Sequence, residues 1–331
     1  MKQSRNWKKS SRKFCNFQHG SEKRHLRVPF LVPGDKIKPI HTSIRCSENS
    51  VMTIVPFEAL ACPLDGGHLQ AVGKSWCCEA GHSFDVARQG YVHLLPVQNK
   101  RSKDPGDNKQ MVAARQRFLN QGFYQPIAEA VNQALLSELP DKAAVNVLDA
   151  GCGDGYYLRF LASAVQANRE LALLGVDISK WAVLAAAKQD GRSSWVVASN
   201  ANLPVLSETL DRVLCLFGFP VYGEFARVLK PGGQVVQVDA GPGHLRELRE
   251  VVYPELKPQR EERNKIPDGF QKLGSERIQY LFELHNKEQV ADLLAMTPHL
   301  YRAGAEGLAR AAGLESLSVS VDVLLQRFGK V

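Results

Sequence analysis

The sequence predicts an α/β fold built on a mostly parallel β-sheet, with a smaller domain in front of it. Three observations support this prediction: a glycine-rich loop after an apolar run, a second apolar run that ends in an acidic residue, and a later alternation of apolar runs with a helical segment. Apolar residues make up 44% of the 331 residues and charged residues 23%, which are typical values for globular proteins. The chain is long enough for one large domain or for two unequal ones.

The glycine-rich loop is the most informative segment. It contains Asp149, Gly151, Gly153, Asp154 and Gly155 and directly follows a short apolar run. Because glycine lacks a Cβ, such a loop between a strand and a helix lets backbone N–H groups approach a ligand closely. We predict that these five residues bind a cofactor; the alternative is a tight turn that binds nothing.

Asp177 extends this prediction. It follows the apolar run at 171–176, and a carboxylate at the tip of such a strand can accept hydrogen bonds from both hydroxyls of a ribose. The glycine spacing is GxGxG, whereas dinucleotide-binding folds prefer GxGxxG. S-adenosylmethionine (AdoMet) has no pyrophosphate to place at the helix N-terminus, so the spacing favours AdoMet over NAD.

The segment after Asp177 shows a further order of elements. A strand, a helix, a Lys-Pro-Gly-Gly turn and another strand are predicted at 210–217, 224–229, 230–233 and 234–238. Together with the glycine loop, this order resembles the class I AdoMet-dependent methyltransferases. The resemblance implies a Rossmann-like, mostly parallel sheet of seven strands with a reversed edge strand. Predicted strands at 277–284 and 314–327 complete such a sheet.

Cysteine and histidine residues cluster before the glycine loop. The spacing, Cys-x2-ligand followed by a hairpin and Cys-x3-His, is that of a small zinc ribbon, and a metal would supply much of the stability of so short a segment. Asp65 occupies a position where cysteine is expected, but zinc also accepts carboxylate oxygen. Cys77 and His68 lie nearby as alternatives, and a ribbon that has lost its metal is the other possibility. The predicted zinc ligands are Cys62, Asp65, Cys78 and His82.

The net charge of +8 is concentrated in residues 1–51, which hold twelve Lys/Arg against three acidic residues and leave −1 for the other 280. This segment lacks periodicity, so we predict a disordered basic extension; a reading frame that starts at Met52 is the alternative. No run is long and apolar enough to span a bilayer, and no signal peptide is recognisable. With seven cysteines, these features predict a reducing compartment, the cytoplasm.

Several motifs outside the glycine loop indicate a particular family. They are Cys-Pro-Leu-x at 62–65, Gly-His-Ser-Phe-Asp at 81–85, Gly-Tyr-Val-x-Leu-Leu-Pro-Val-Gln at 90–98, Lys-Arg-Ser-Lys-Asp-Pro-Gly-Asp at 100–107, Gly-Cys-Gly-Asp-Gly-Tyr-Tyr at 151–157 and Gly-Pro-Gly-His-Leu at 241–245. From Leu60 to the C-terminus the chain resembles the bacterial 23S rRNA (guanine-N1)-methyltransferases.

This resemblance implies AdoMet-dependent methylation of N1 of a guanine in hairpin 35 of 23S rRNA, at nucleotide 745 rather than 748. It implies cofactor contacts from Tyr124, from the glycine-loop residues Gly153 and Asp154, and from His244. It also implies zinc at the four ligands named above, in a ribbon that contributes RNA recognition. Asp65 departs from the family pattern, which has cysteine at this position.

The predicted organisation is a basic extension at 1–51, a zinc-ribbon-like RNA-recognition domain at 52–97, a linker at 98–137 and an AdoMet-dependent methyltransferase domain at 138–331. The predicted partners are 23S rRNA and AdoMet, with a homodimer left open and no membrane. Two other functions are weighed: a class I methyltransferase that acts on a small metabolite, and an AdoMet-binding, RNA-binding protein without catalysis. The Cys/His segment and the cationic loop after it favour an extended polyanion as substrate.

The sequence does not identify the catalytic base that would take the N1 proton of guanine. The end of the predicted fourth strand has no carboxylate. Phe217 or Phe219 in this segment could stack on an extruded base or pack in the interior. His244 is a candidate base, but cofactor contact is the preferred interpretation, and Tyr124 could equally be a core residue.

Overall fold

The computed structural model describes residues 53–99, 102, 104–139, 144–164, 170–256 and 265–331, so the predictions for residues 1–51 lie outside the described residues. The β-strands are Thr53–Val55 (β1), Gln70–Val72 (β2), Ser75–Cys77 (β3), Ser83–Asp85 (β4), Tyr91–His93 (β5), Ala144–Ala150 (β6), Glu170–Asp177 (β7), Ser194–Val197 (β8), Leu210–Leu216 (β9), Leu229–Ala240 (β10), Phe270–Leu284 (β11) and Leu317–Lys330 (β12). The α-helices are Lys109–Asn120 (α1), Gln125–Leu136 (α2), Tyr156–Ala162 (α3), Lys180–Gln189 (α4), Tyr222–Val228 (α5), Arg246–Val252 (α6), Lys287–Ala295 (α7), His299–Arg302 (α8) and Ala305–Ala312 (α9).

Nine of the described strands form one sheet with the order β11-β12-β10-β9-β6-β7-β8-β5, and β1 lies beside β7. Strands β6 to β10 pair in parallel, whereas β12 runs antiparallel to both β10 and β11. Strands β6 to β12 are therefore the predicted seven-stranded, mostly parallel sheet. The reversed strand, β12, lies second from the edge because β11 pairs with its outer side. The predicted fold class is confirmed.

The segment before the glycine loop adds two strands to this sheet, a feature that the sequence did not reveal. Strand β1 pairs with the first part of β7, where Ile54 lies opposite Leu171, and β5 pairs with β8 at the sheet edge, where Val92 lies opposite Val196. An antiparallel bridge between Leu60 and Val205 adds a third connection. The small sheet β2-β3-β4 thus lies between two chain segments that are both hydrogen-bonded to the large sheet.

The buried apolar residues show how the helices and the small sheet pack on the large sheet. Strand β9 is buried along its whole length, as expected for a parallel strand that is covered on both faces. One apolar cluster includes Phe118 of α1 and Leu293 of α7, and a second includes Phe225 of α5 together with Leu60 and Leu69 from the small-sheet region. Residues that flank the cysteines therefore share a core with the large sheet.

None of the described helices is long and apolar enough to cross a membrane. The cytoplasm stays a prediction.

Candidate cofactor pocket and metal cluster

The glycine loop connects β6 to α3 at the carboxyl edge of the sheet. Gly151, Gly153 and Gly155 have φ values of 96°, 56° and 78°, a region where a Cβ is strained, and this explains why glycine occupies all three positions. The N–H groups of Gly151 and Cys152 donate to the carbonyl oxygen of Val176 at 2.8 and 3.0 Å. These bonds hold the loop against the end of β7.

Asp177 ends β7 and supports the loop from the other side. Its Oδ2 accepts from the N–H of Gly153 (2.9 Å) and its Oδ1 from the N–H of Ser179 (2.7 Å). Burial raises the pKa of Asp177. Each carboxylate oxygen keeps a second lone pair, so the side chain can accept two more hydrogen bonds, which is the number that the two ribose hydroxyls can donate.

A cavity of about 440 Å³ opens over this edge, within the range of small-molecule sites. Five of the predicted cofactor residues line it: Tyr124, Gly151, Gly153, Asp154 and Asp177. The other three, Asp149, Gly155 and His244, are not among its wall residues.

Gly155 is placed for packing. A Cβ on this residue would overlap the indole ring of Trp195, which is itself 2% exposed. Gly175 on β7 faces the same ring just as closely. The third glycine of the loop therefore makes room for a core tryptophan.

Asp149 is almost completely buried, at 1% exposure, and neither of its carboxylate oxygens has a hydrogen-bond partner among the described residues. Burial first, and then the charges of Asp177 and Asp154, raise its pKa to about 8. A cationic ligand would relieve this electrostatic cost, since an opposite charge favours the ionised carboxyl group. The sulfonium and ammonium groups of AdoMet supply such charge, whereas the pyrophosphate of NAD would add negative charge.

Tyr124 and His244 form a hydrogen-bonded pair at the cavity. The backbone N–H of Asp322 donates to Nδ1 of His244 (3.3 Å), so Nε2 carries the ring proton and donates to the Tyr124 hydroxyl (3.3 Å). This arrangement leaves the Tyr124 hydroxyl proton to donate into the cavity. Burial lowers the pKa of His244 to about 4, which keeps the ring neutral. These contacts favour a positioning role over that of a base for His244.

Two phenylalanines follow β9 at the cavity. Phe217 adopts a φ of 54°, a costly conformation for a residue with a side chain, and its ring stacks on His244 with a centroid distance of 5.7 Å and an interplanar angle of 24°. Phe219 is 88% exposed although it belongs to the cavity wall. An exposed aromatic ring beside a cavity can stack on a planar ligand.

Several wall residues have functional features that sequence reasoning did not find. Arg115 on α1 donates through Nη2 to Asp107 Oδ2 (2.7 Å) and to the Met296 carbonyl oxygen (3.2 Å), while its buried Nε has no partner among the described residues. The buried hydroxyl of Tyr157 is also unpaired there. The Asp-Pro-Gly-Asp turn directly before α1 was the only sequence signal for this part of the wall.

The four predicted metal ligands come together at one point. Their ligand atoms lie within 4.8 Å of one another. His82 Nδ1 lies 3.6 Å from Cys62 Sγ, 3.4 Å from Cys78 Sγ and 2.9 Å from Asp65 Oδ2. Metal–ligand bonds of about 2.0 to 2.3 Å in a tetrahedron place ligand atoms roughly 3.3 to 3.8 Å apart, so this donor set fits zinc with small adjustments.

The local backbone explains this convergence. Gly66 and Gly81 adopt φ values of 77° and 85°, and their N–H groups donate to the carbonyl oxygens of Cys62 (2.8 Å) and Cys78 (3.0 Å), which closes two tight turns. The N–H of Gly67 donates to Asp65 Oδ1 (2.8 Å) and lowers the pKa of Asp65 to about 2, so this ligand is a carboxylate.

The two alternative ligands lie elsewhere. His68 Nε2 contacts the carbonyl oxygen of Glu58 at 2.8 Å, and Cys77 Sγ donates to the hydroxyl of Ser83 at 3.4 Å.

Comparison with known proteins places this geometry in a family. A zinc-ribbon family model described as "RlmA, N-terminal" matches residues 60–103, and a model described as "Methyltransferase domain" matches residues 147–233. The 23S rRNA (guanine(748)-N(1))-methyltransferase of Streptomyces fradiae is 31% identical over 276 residues, which cover 81% of this chain and 96% of that protein. YxjB of Bacillus subtilis, provisionally named a 23S rRNA (guanine-N(1)-)-methyltransferase, is 30% identical with the same coverage.

A relative with another named activity matches a smaller part. The malonyl-[acyl-carrier protein] O-methyltransferase of Pectobacterium atrosepticum is 30% identical over 142 residues, which cover 39% of this chain and 53% of that protein. The two rRNA methyltransferases align over most of both chains, and the ribbon model matches the segment with the metal cluster. The resemblance stated from the motifs is confirmed: this chain belongs to the family of 23S rRNA (guanine-N1)-methyltransferases.

Proposed function

We propose that this chain transfers a methyl group from AdoMet to N1 of a guanine in hairpin 35 of 23S rRNA. The observation that supports the proposal is that one chain contains both the four-ligand cluster and a cavity lined by carboxylates. The sequence alignment with an rRNA methyltransferase covers 81% of this chain. Nucleotide 745 is proposed from the motif resemblance. Since the Streptomyces relative is named for nucleotide 748, the experiment below distinguishes the two positions.

AdoMet supplies the methyl group and a positive charge. In the proposed complex, Asp177 accepts hydrogen bonds from the ribose, and Gly151, Gly153 and Asp154 form the part of the cavity wall that the cofactor contacts. The Tyr124 hydroxyl, oriented by His244, donates to an acceptor atom of the bound ligand. Asp149 and Gly155 act indirectly, Asp149 through its charge and Gly155 by leaving room for Trp195.

The target base reaches the cavity between the aromatic side chains after β9. Methyl transfer requires the attacking nitrogen in line with the bond that breaks, so the chain acts mainly by positioning the base and excluding water. Phe219 is exposed and Phe217 is held against His244, and both are proposed to stack on the extruded guanine.

The general base is left unassigned. The three carboxylates of the cavity wall already have partners: Asp107 pairs with Arg115, Asp154 contacts Arg159 and Gln189, and Asp177 accepts two N–H groups.

We further propose that Cys62, Asp65, Cys78 and His82 hold a zinc ion that stabilises the turns of the small sheet. The ribbon at 52–97, the linker at 98–137 and the methyltransferase domain at 138–331 are the proposed organisation, with β1 and β5 of the ribbon segment joined to the large sheet of the methyltransferase domain. The ribbon is proposed to contact rRNA. A homodimer stays a prediction.

The test is a map of N1-methylguanine in 23S rRNA from a strain that lacks the gene. This modification blocks base pairing and stops primer extension, so the wild-type strain should show a stop at the target that the deletion strain lacks. The wild-type gene should restore the stop and Asp177→Ala should not. Identical stops in the wild-type and deletion strains would reject the rRNA assignment. A gene-dependent stop that reports nucleotide 748 rather than 745 would correct the target nucleotide and leave the rest of the proposal unchanged.

A further inference from the structure

Tyr301 is a large aromatic side chain that stands exposed beside the cofactor cavity. It lies on α8 and is 64% exposed. Its hydroxyl accepts a hydrogen bond from Nδ2 of Asn108 (3.2 Å) and donates to Sδ of Met111 (3.1 Å). Asn108 directly follows Asp107, a residue of the cavity wall, so the Tyr301 hydroxyl is bonded to the neighbour of a wall residue.

The Asn108 side chain is itself held by hydrogen bonds, because it also caps α1. Its Oδ1 accepts from the N–H groups of Gln110 (2.9 Å) and Met111 (3.0 Å), which leaves Nδ2 to hold Tyr301. Only the hydroxyl end of the tyrosine is tied down, while most of the side chain faces solvent. A ring whose hydroxyl is already bonded has less conformational freedom to lose when a partner stacks on it.

The surroundings of the ring favour a nucleic acid as the partner. Lys109 and Arg302, each next in sequence to one residue of the Asn108–Tyr301 pair, are exposed. Phe219, another exposed aromatic residue, belongs to the cavity wall. Unstacked bases bind to aromatic faces while nearby cations contact the phosphates, so this combination fits a single-stranded segment of RNA.

We propose that Tyr301 is a stacking platform for a nucleotide adjacent to the target guanine, with Lys109 and Arg302 on the phosphates. The inference rests on the proposed rRNA function and adds a residue that decides how the flanking RNA is held. Tyr301 acts on the affinity for RNA, and AdoMet binding does not depend on its ring.

The experiment compares Tyr301→Ala and Tyr301→Phe with the wild-type full chain, with a hairpin 35 transcript as the RNA. Tyr301→Ala should raise the KM for RNA about tenfold, as expected for the loss of one base–aromatic contact, and should leave the Kd for AdoMet unchanged. Tyr301→Phe keeps the ring and should restore most of the RNA affinity. A transcript with 2-aminopurine next to the target should lose fluorescence on binding to the wild type and keep it with Tyr301→Ala.

Leu281→Ala is the matched control: Leu281 is 68% exposed on β11, and its replacement should leave the KM for RNA and the Kd for AdoMet unchanged. Equal RNA KM and equal quenching in wild type and Tyr301→Ala would overturn the inference, and so would an AdoMet Kd that rises in parallel with the RNA KM. The quenching measures binding alone. It therefore tests Tyr301 even if the transcript is not methylated, an outcome that would count against the proposed function instead.

Discussion

The cofactor cavity and the metal cluster hold their functional atoms in different ways. In the cavity, the loop after β6 is bonded to the end of β7, and the flanking strands are seven and eight residues long. In the cluster, the ligands come from turns around strands of three residues, and the Asp65 and His82 side chains are 30% and 38% exposed. The sheet therefore arranges the cavity without its ligand. In the cluster, short turns bring the ligands together, and Cys62 and Cys78 are buried whereas Asp65 and His82 are more open to solvent.

This difference shows which property each ligand contributes. The backbone of the cavity is held by the sheet, and a cationic ligand would contribute a positive charge near the buried carboxyl group of Asp149. In the cluster, a metal would contribute bonds that join the turn of Cys62 and Asp65 directly to the turn of Cys78 and His82.

The largest effect is expected from Gly155→Ala, which tests whether the sheet-held loop tolerates any added atom. The new Cβ would overlap Trp195 and would sit at a φ of 78°, so we expect the free energy of unfolding to fall by about 3 kcal/mol. Urea denaturation measures this loss. Gly191→Ala is the control, because nothing lies within 4 Å of its Cβ position. Equal stability of the two variants would show that the loop or Trp195 can shift to accommodate the added Cβ.

Asp177→Ala should produce the next largest effect. It removes the acceptor of the Gly153 and Ser179 N–H groups as well as the proposed ribose contacts, and we expect AdoMet to bind about 100-fold more weakly. Titration calorimetry measures the affinity, and Asp177→Asn, which keeps one carbonyl oxygen, should lose less. An unchanged affinity would remove Asp177 from the binding site.

Asp149→Asn tests the buried carboxyl group at the end of β6. Since burial raises the pKa of Asp149 to about 8, the folded chain without ligand holds a proton that the unfolded chain releases near pH 4. The contribution of Asp149 to the free energy of unfolding is therefore present at low pH and is lost as the pH rises from about 4 to about 8. Over this range the free energy of unfolding falls by at most about 1.4 kcal/mol per pH unit. The asparagine variant should show a flatter profile in urea denaturation between pH 5 and 9.

Ligand binding should show the opposite pH dependence. A cationic cofactor favours ionised Asp149, so the AdoMet affinity of the wild type should rise from pH 6 to 9, and that of Asp149→Asn should rise less. Parallel stability and affinity profiles in the two proteins would show that Asp149 does not titrate in this range.

The smallest effect is expected from Asp65→Cys in the cluster. A thiolate binds zinc more tightly than a carboxylate, so we expect the variant to retain zinc against a chelator at about tenfold higher chelator concentration than the wild type. Metal content by mass spectrometry measures this. His68→Ala should behave as the wild type, because His68 contacts the Glu58 carbonyl oxygen instead. If neither the wild type nor Asp65→Cys takes up zinc, the cluster does not bind zinc.

Local patterns made much of the site predictable. Each of these features lies within a few residues of the strand or turn that positions it: the glycines of the loop, Asp177 and the cysteines of the two short turns. Their spacing in the sequence therefore predicts their arrangement in the structure. Cys77 and His68 could not be assigned in this way, since the partners of their side chains, Ser83 and Glu58, are decided by how the small sheet folds.

The sequence by itself determined the class of fold, the cofactor loop and the candidate metal ligands, because strand–loop–helix units and ligand turns are encoded over short stretches of chain. Only the tertiary structure decided that β1 and β5 join the large sheet, that Trp195 fills the space at Gly155, and that Tyr301 is anchored to Asn108 across 193 residues. Such contacts depend on which distant surfaces pack together, and that choice is made by the whole core and leaves no local periodicity to detect.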